Sequence, residues 1–218
     1  MEAETDFPSL PTRTSKAPSR QLRRSMPAHP WWKSVPVWCA RAPNSSQACS
    51  NTCRTARKMK EPVQKQIGTL LSASGRTLSA AESCTGGQIS HLLTTVSGSS
   101  AYYLGSVTSY AVSVKENVLG VPHSVVEEKG LVSSEVAAAM AEGVRSLTGS
   151  TYAVSTTGLA EGGDEFGNPE GTVWIGVTGP AGTVTRKYWC DLGRKANIRR
   201  FANVALQFLK NYIESDIK

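Results

Sequence analysis

The sequence of 218 residues has no apolar run of the length that a membrane-spanning helix requires, about 18 residues or more. Its N-terminus lacks the basic region and apolar stretch of a secretory signal, and its early acids disfavour a mitochondrial presequence. The five cysteines are odd in number and irregularly spaced, which is atypical of a disulfide framework. These absences predict a protein of the reducing cytoplasm that has no membrane partner.

Charge is distributed unevenly along the chain. The formal net charge is +7, and residues 1–58 contain ten Lys or Arg against three acids. Residues 59–218 contain fourteen of each sign. The second part therefore lacks the basic excess that is typical of nucleic-acid binding, and we expect no nucleic-acid partner.

Residues 1–58 are rich in Pro, Ser, Thr, Arg and Ala and show no sustained helical or strand period. Such a composition cannot bury enough apolar surface to offset its ordering entropy, so it predicts a disordered basic segment. The segment's three cysteines and its histidine are poorly spaced for zinc, and we expect no metal site. An alternative is a mis-assigned start, with native translation beginning at Met59, where the composition becomes typical of a folded domain.

Residues 59–218 carry clear hydrophobic periods. These predict helices over 61–73, 85–95, 113–119, 134–147 and 195–214, and strands over 76–82, 102–110, 151–157, 172–178 and 183–190. A capping box at Ser124–Glu127 predicts a further helical turn. Alternating elements followed by a hairpin and a closing helix predict a three-layer α/β/α domain with a mixed sheet. Ligands of such sheets lie at the carboxyl ends of the strands.

Ser83 falls between a predicted strand and a predicted helix and is followed by Thr85, Gly86 and Gly87. A strand-to-helix turn exposes the serine beside free N–H groups, which suit a phosphate or an oxyanion. The two glycines would let a substrate approach the backbone. The alternative is that Ser83 is a simple helix N-cap. Cys84 is a rival nucleophile, but its place after the turn predicts that it packs in the core.

A serine nucleophile needs a base, and Lys115 is the best candidate in this chain. It opens the helix after strand 102–110, which is expected to neighbour Ser83, and burial there would lower the pKa of its amine. Tyr110, at the end of the same strand, could donate to the substrate or relay the proton. The alternative is that Lys115 is a solvated helix residue. The three histidines lie in the N-terminal segment, on the far side of a helix and in a turn, and none is a good base: His29, His91 and His123.

Several motifs, in this order, resemble the CinA C-terminal family, which is also called the PncC or nicotinamide-nucleotide amidase family. The similarity extends over residues 61–214. It is carried by Ala81-Glu-Ser-Cys-Thr-Gly-Gly87, Gly98-Ser-Ser100, Ser109-Tyr110 with Lys115, Leu119-Gly-Val121, Gly130-Leu-Val-Ser133, Met140-Ala-Glu-Gly143 and Gly171-Thr-Val-Trp-Ile-Gly176.

This resemblance implies deamidation of nicotinamide mononucleotide to nicotinate mononucleotide and ammonia, without a metal or another cofactor. It implies Ser83 as the nucleophile, Lys115 as its base and Tyr110 as a supporting residue. Backbone N–H groups at Thr85, Gly86 and Gly87 would stabilise the oxyanion. Further candidates for holding the nucleotide are Ser99, Ser100 and the loop from Gly158 to Gly163. The resemblance also implies a homo-oligomer and the stand-alone form of the family, because residues 1–58 match nothing in the N-terminal domain of its larger members.

The chain departs from the family pattern at two places. The family reads Tyr-Ser-Asn-Glu-x-Lys where this chain has Val112 and Ser113 in place of Asn and Glu. Glu161 adds a negative charge to the Gly158–Gly163 loop, which would repel a phosphate if it faced the ligand. Two other functions therefore stay open: a non-catalytic nucleotide-binding or competence- or DNA-damage-associated protein, and an amidase for another small carboxamide.

Overall fold

The computed structural model describes residues 61–218. The predicted disordered segment 1–58 and the alternative start at Met59 lie outside the described residues. The helices are α1 (Val63–Ser74), α2 (Gln88–Thr94), α3 (Val112–Leu119), α4 (His123–Lys129), α5 (Ser134–Thr148) and α6 (Arg194–Asp216). The strands are β1 (Leu78–Glu82), β2 (Tyr103–Thr108), β3 (Tyr152–Gly158), β4 (Thr172–Gly179) and β5 (Gly182–Trp189), and a single 3₁₀ turn spans Ser99–Ala101.

The five strands form one mixed sheet in the order β2-β1-β3-β4-β5. Strand β1 is parallel to both β2 and β3, whereas β4 is antiparallel to β3 and forms a hairpin with β5. The predicted mixed sheet is therefore confirmed. Strand β1 is an interior strand between β2 and β3, which explains why all five of its residues are buried. Its carboxyl end therefore lies between two neighbouring strands.

Helices cover both faces of the sheet, as the three-layer prediction requires. One apolar core forms between the sheet and α1, α2 and α6, and it includes Ala80 and Val154. A second core forms on the opposite face, against α3, α4 and α5, and it includes the adjacent residues Ala81 and Ala153. This alternation follows from the period of two along a strand. Within residues 61–218, no helix combines the length and the apolar character needed to cross a membrane.

The starts of α2 and α4 differ from the prediction, whereas α5 starts as predicted. Helix α2 begins at Gln88, three residues after the predicted start, because residues 83–87 form a separate turn. The capping box at Ser124 is absent, since the carbonyl of Pro122 accepts the first amide bonds and α4 begins at His123. Helix α5 is capped as predicted, with the Ser133 hydroxyl accepting from the amide of Val136 at 3.3 Å.

Gly143 allows α5 to approach the end of α3, the helix that carries Lys115. A Cβ atom at this position would overlap the carbonyl oxygen of Leu119. Gly→Ala inside a helix normally stabilises a protein by about 1 kcal/mol. Here we expect Gly143→Ala to destabilise the domain by about 1–3 kcal/mol, because overpacking displaces α3. Urea unfolding will measure this change. Ser146→Ala, an exposed site on the same helix, is the control and should be neutral or slightly stabilising; equal effects would contradict the prediction.

Candidate active site

Ser83 lies at the carboxyl end of β1, at the start of the turn that leads to α2. Its amide donates to the carbonyl of Thr156 at 3.1 Å, which extends the β1–β3 pairing by one residue and fixes the serine backbone. The turn then reverses through Gly86 and Gly87, whose φ angles are 56° and 94°. Only glycine adopts such angles readily, so the two glycines are what permit a tight turn after the serine.

Glu82, the residue before the serine, organises this turn from the opposite face of the sheet. Its side chain is fully buried and accepts five hydrogen bonds. One carboxylate oxygen accepts from the Thr85 hydroxyl at 2.8 Å and from the amides of Gly87 and Ile89 at 3.0 Å each. The other accepts from the amide and hydroxyl of Ser90 at 2.8 and 2.5 Å. The carboxylate thus caps α2 and holds the turn closed.

This arrangement changes which groups can meet a substrate. The amide of Gly87 is engaged by Glu82, and that of Gly86 donates to the Ser83 carbonyl at 3.1 Å. Thr85 is buried, and its hydroxyl also contacts that of Thr156 at 2.8 Å. Among residues 61–218, the amides of Cys84 and Thr85 have no acceptor, so these two N–H groups are the ones left for an oxyanion.

Replacement of Glu82 by Gln is expected to lower the free energy of unfolding by about 2–4 kcal/mol, because an amide NH₂ would face N–H and O–H donors in a buried site. Urea unfolding followed by circular dichroism measures this loss. Glu128→Gln removes an exposed acid on α4 and should change stability by at most about 0.5 kcal/mol. A Glu82 variant as stable as the Glu128 variant would show that the carboxylate does not hold the turn.

Lys115 reaches Ser83 from α3. Its Nζ lies 3.1 Å from the Ser83 Oγ, 2.6 Å from the Ser109 carbonyl oxygen and 3.4 Å from the Tyr110 carbonyl oxygen. The side chain is 2% exposed. Burial lowers the pKa of the Lys115 amine, since desolvation disfavours its charged form. The predicted alternative of a solvated Lys115 is therefore wrong.

A neutral amine can make all three of these contacts. A neutral Nζ has two hydrogens and one lone pair. The hydrogens can be donated to the carbonyls of Ser109 and Tyr110, which leaves the lone pair to accept the hydroxyl proton of Ser83. Among the described residues, no carboxylate forms a salt bridge with the Lys115 Nζ. No negatively charged neighbour therefore stabilises the protonated amine. The arrangement can therefore activate Ser83 as a nucleophile.

A cavity of about 230 Å³ opens over these two side chains, and we call it the Ser83 pocket. Its lining includes Tyr110, Gly158, Glu161 and Arg194. Tyr110 is 66% exposed, and its hydroxyl accepts from Arg194 Nη2 at 3.2 Å. The Nη1 of Arg194 lies 3.9 Å from a Glu161 carboxylate oxygen. Tyr110 and Gly158 thus lie where the sequence predicted, at one cavity with Ser83.

The structure places two other predicted binding residues elsewhere. Ser99 and Ser100 lie in the 3₁₀ turn that precedes β2. Because β2 runs parallel to β1, this turn is at the amino end of the strands, whereas Ser83 is at their carboxyl end. A strand of five or six residues separates the two edges by roughly 17–20 Å. Neither serine lines the Ser83 pocket, and within one chain they do not reach a substrate held there.

The histidines of the described chain also lie away from the pocket. His91 is exposed on α2. His123 is exposed on α4 and pairs with Glu116 at 2.7 Å and Glu127 at 3.1 Å, which raise the pKa of its ring. Within residues 61–218, no group of three or more His, Cys, Asp or Glu residues has the arrangement of a metal site. Lys115 is therefore the base that the geometry supports.

Cys84, the rival nucleophile, packs in the core with Ile89 and Leu93, as predicted. It is 8% exposed, and burial raises the pKa of its thiol to about 12. Because the thiolate is the reactive form, a thiol with such a pKa is inert near neutral pH.

Sequence reasoning missed two residues of this site, Glu82 and Arg194. Glu82 gave one signal, an acid inside a strand that is otherwise apolar or small, and such an acid needs buried donors. Arg194 begins α6, more than 100 positions after Ser83 in the sequence, and nothing near it in the sequence indicates that it lines the Ser83 pocket.

Comparisons with known proteins give the family and the fold of this chain. The family model described as the CinA C-terminal domain matches residues 60–213. A CinA-like protein of Salinibacter ruber is 47% identical over 144 residues, which are 65% of this chain and 34% of that protein. The chain spans about a third of the length of the curated relatives it matches.

Solved structures show the same fold. The competence damage-inducible protein A of Klebsiella pneumoniae has a TM-score of 0.67 at 28% identity, over 68% of this chain and 93% of that one. The competence/damage inducible protein CihA of Agrobacterium tumefaciens has a TM-score of 0.66 at 30% identity, over 70% of this chain and 93% of that one. With a family match over most of its length, the chain belongs to the family of CinA C-terminal domains.

Proposed function

We propose that this protein hydrolyses the carboxamide of nicotinamide mononucleotide, releasing nicotinate mononucleotide and ammonia, with Ser83 as the nucleophile and Lys115 as its base. One observation carries the proposal: the buried amine of Lys115 lies 3.1 Å from the Ser83 hydroxyl in a cavity that is open to a ligand. The chain's membership of the CinA C-terminal family, which includes amidases, supports the same reaction.

The reaction has two halves, and both use the same proton carrier. Neutral Lys115 takes the hydroxyl proton as Ser83 Oγ bonds to the carboxamide carbon, and the amides of Cys84 and Thr85 stabilise the oxyanion. The carbon–nitrogen bond then breaks, and the ammonium form of Lys115 returns the proton to the departing ammonia. Water attacks the resulting ester, Lys115 takes a proton from that water, and Ser83 leaves as the restored hydroxyl.

The departures from the family pattern leave this machinery intact. Val112 and Ser113 are exposed on the first turn of α3, and neither lines the Ser83 pocket. Glu161 does line the pocket, where its carboxylate lies 3.9 Å from the guanidinium of Arg194. That cation partly offsets the added negative charge. A homo-oligomer stays a prediction.

The test of this proposal is product formation by the full chain. We expect incubation with nicotinamide mononucleotide to yield ammonia and nicotinate mononucleotide in equal amounts, measured by an enzymatic ammonia assay and by chromatography. Nicotinamide adenine dinucleotide and benzamide serve as comparison substrates, which test whether the protein is an amidase for another carboxamide. If the folded protein binds the mononucleotide by calorimetry but forms neither product, the amidase proposal is wrong and a non-catalytic binding role takes its place.

A further inference from the structure

Asn197 is a buried amide in a stretch of chain that is otherwise exposed or half-buried. It is the one fully buried residue among 191–200, and it lies in the first turn of α6, three residues after Arg194. A buried amide costs free energy unless its donors and its acceptor oxygen find partners. Its hydrogen bonds therefore indicate what Asn197 does in this fold.

The Asn197 side chain joins α6 to a residue that lies 37 positions earlier in the chain. Its Oδ1 accepts from the Leu192 amide at 3.0 Å and from the Cys190 thiol at 3.3 Å. Its Nδ2 donates to the carbonyl of Ala160 at 3.0 Å. The first two contacts are local to the connection between β5 and α6, whereas the third reaches the segment that follows β3.

Ala160 belongs to the lining of the Ser83 pocket. The residue before it, Leu159, is held by the backbone, since its amide donates to the Thr172 carbonyl and its carbonyl accepts from the Gly171 amide, each at 2.8 Å. Within residues 61–218, the Ala160 carbonyl accepts from no backbone amide. Asn197 therefore fixes the chain one residue beyond the point where this backbone pairing ends.

The same contact sets the place of α6 beside the pocket. Arg194 lies on the same turn of α6 as Asn197 and lines the Ser83 pocket, where its guanidinium donates to the Tyr110 hydroxyl at 3.2 Å. The Asn197 amide closes this turn by donating to the Gly193 carbonyl at 2.9 Å. Asn197 thus links two parts of the lining, the segment 158–160 and the start of α6.

We infer that Asn197 is a positioning residue of the Ser83 pocket, which fixes segment 158–160 so that this wall holds the carboxamide-bearing ring against Ser83 and Lys115. The inference rests on the proposed function for the identity of that ligand. Asn197 itself does not line the pocket. Ser83 and Lys115 are placed by β1 and α3, and Asn197 contacts neither. Its role is therefore to hold the substrate, while Ser83 and Lys115 carry the chemistry.

Asn197→Asp removes the donor to Ala160 and preserves the shape of the side chain. One carboxylate oxygen can still accept from the Leu192 amide, but the other would face the Ala160 carbonyl oxygen, and two acceptors cannot bond. We expect segment 158–160 to shift, so that KM for nicotinamide mononucleotide rises roughly tenfold or more while kcat changes by less than about threefold. A merely structural defect would lower the folded fraction, and with it kcat, at constant KM.

The decisive experiment combines ammonia-release kinetics of the full chain with calorimetry on the same variants carrying Ser83→Ala, which bind nicotinamide mononucleotide without turnover. Both are run at a temperature where circular dichroism shows each variant folded. We expect Asn197→Asp to weaken binding roughly tenfold or more at an unchanged stoichiometry. Asn197→Ser, which buries no charge and does not reach Ala160, tests the same bond should the Asn197→Asp protein fail to fold.

Two control variants separate the Ala160 bond from its surroundings. Asn203→Asp makes the same chemical change at an exposed position of α6 and should alter neither KM nor the dissociation constant. Cys190→Ala removes a weak donor to the Asn197 Oδ1 and leaves the bond to Ala160 in place. It should change both quantities by less than about threefold.

The outcomes separate this inference from the proposed function. Unchanged binding and KM in the Asn197 variants, or a loss confined to kcat, overturns the inference even if the parent protein releases ammonia. Weaker binding at an unchanged stoichiometry supports it even if the parent shows no turnover, a result that would overturn the proposed function alone. A parent that neither binds nor deamidates the mononucleotide overturns both.

Discussion

Ser83→Ala is expected to lower kcat/KM for nicotinamide mononucleotide by roughly 10³–10⁶-fold, the range seen when a serine nucleophile is removed. The Ser83 side chain contacts Lys115, and no other atom of the proposed mechanism can form the ester. The fold should remain, because the Ser83 amide still donates to the carbonyl of Thr156 and only one hydroxyl is removed. Ammonia release and urea unfolding, measured on the same preparation, give the two readouts.

Cys84→Ala tests whether the neighbouring cysteine, and not Ser83, is the nucleophile. Because the Cys84 thiol is buried and its pKa is raised to about 12, we expect that variant to keep turnover within about tenfold of the parent, despite some loss of packing. Ser97→Ala, at an exposed loop position, controls for the loss of any serine hydroxyl. Turnover that survives in the Ser83 variant and disappears in the Cys84 variant would assign the nucleophile to the cysteine.

The meeting of Ser83 and Lys115 could be predicted from the sequence because it depends on simple topology. Neighbouring parallel strands end at one edge of a sheet, so a residue at the end of β1 and a helix that follows β2 must lie close together. Burial of the lysine amine could not be predicted in the same way, because the sequence left a solvated Lys115 open as the alternative, and the packing of α3 decides between the two. What the pattern could not supply was the distance of 3.1 Å, which depends on how α3 packs on α5.

Ser99 and Ser100 lie away from the Ser83 pocket of their own chain for a related reason. A motif identifies positions along the chain, but the direction of β2 decides at which edge those positions lie. Residues that precede a parallel strand belong to the edge opposite the one where Ser83 is found. The site beside Ser83 is made instead by residues at the carboxyl ends of strands and just after them, such as Gly158 at the end of β3.

The assignment of oxyanion donors changed because Glu82 occupies groups that the sequence left free. Hydrogen-bond partners of a buried carboxylate are a property of packing, and no period or motif indicates them.

Lys115→Met is expected to reduce turnover by roughly 10²–10⁴-fold, the usual contribution of a positioned acid–base group. Methionine keeps most of the side-chain volume but has no proton to carry. Lys115→Arg should be equally inactive, since a guanidinium stays protonated and cannot act as the base. The Lys115→Ala variant should likewise lose activity, and addition of a small primary amine such as ethylamine, in its free-base form, should restore part of it. Such rescue distinguishes a proton carrier from a residue that only shapes the pocket.

The pH profile gives a second signature of the same role. Lys115 must be neutral to accept a proton from Ser83, so kcat/KM of the parent should rise with pH until the amine is deprotonated. Since burial lowers the pKa of Lys115 below its ordinary value of 10.5, the rise should be complete at a lower pH than an exposed lysine would give. A profile with no rise below pH 10 would assign the base to another group.

Stability should depend on pH in the opposite sense to that expected for a lysine whose charge stabilises the folded protein. The pKa of Lys115 is lower in the folded protein than in the unfolded chain, so between the two pKa values the unfolded chain binds more protons. The free energy of unfolding of the parent should therefore rise with pH across that window, and level off above the unfolded value of about 10.4. Lys115→Met lacks this titration, so its stability relative to the parent should fall steadily as pH rises from 7 to 10 in urea unfolding. A constant difference across that range would mean that the amine is charged in the folded protein, and the lone pair that Ser83 needs would not exist.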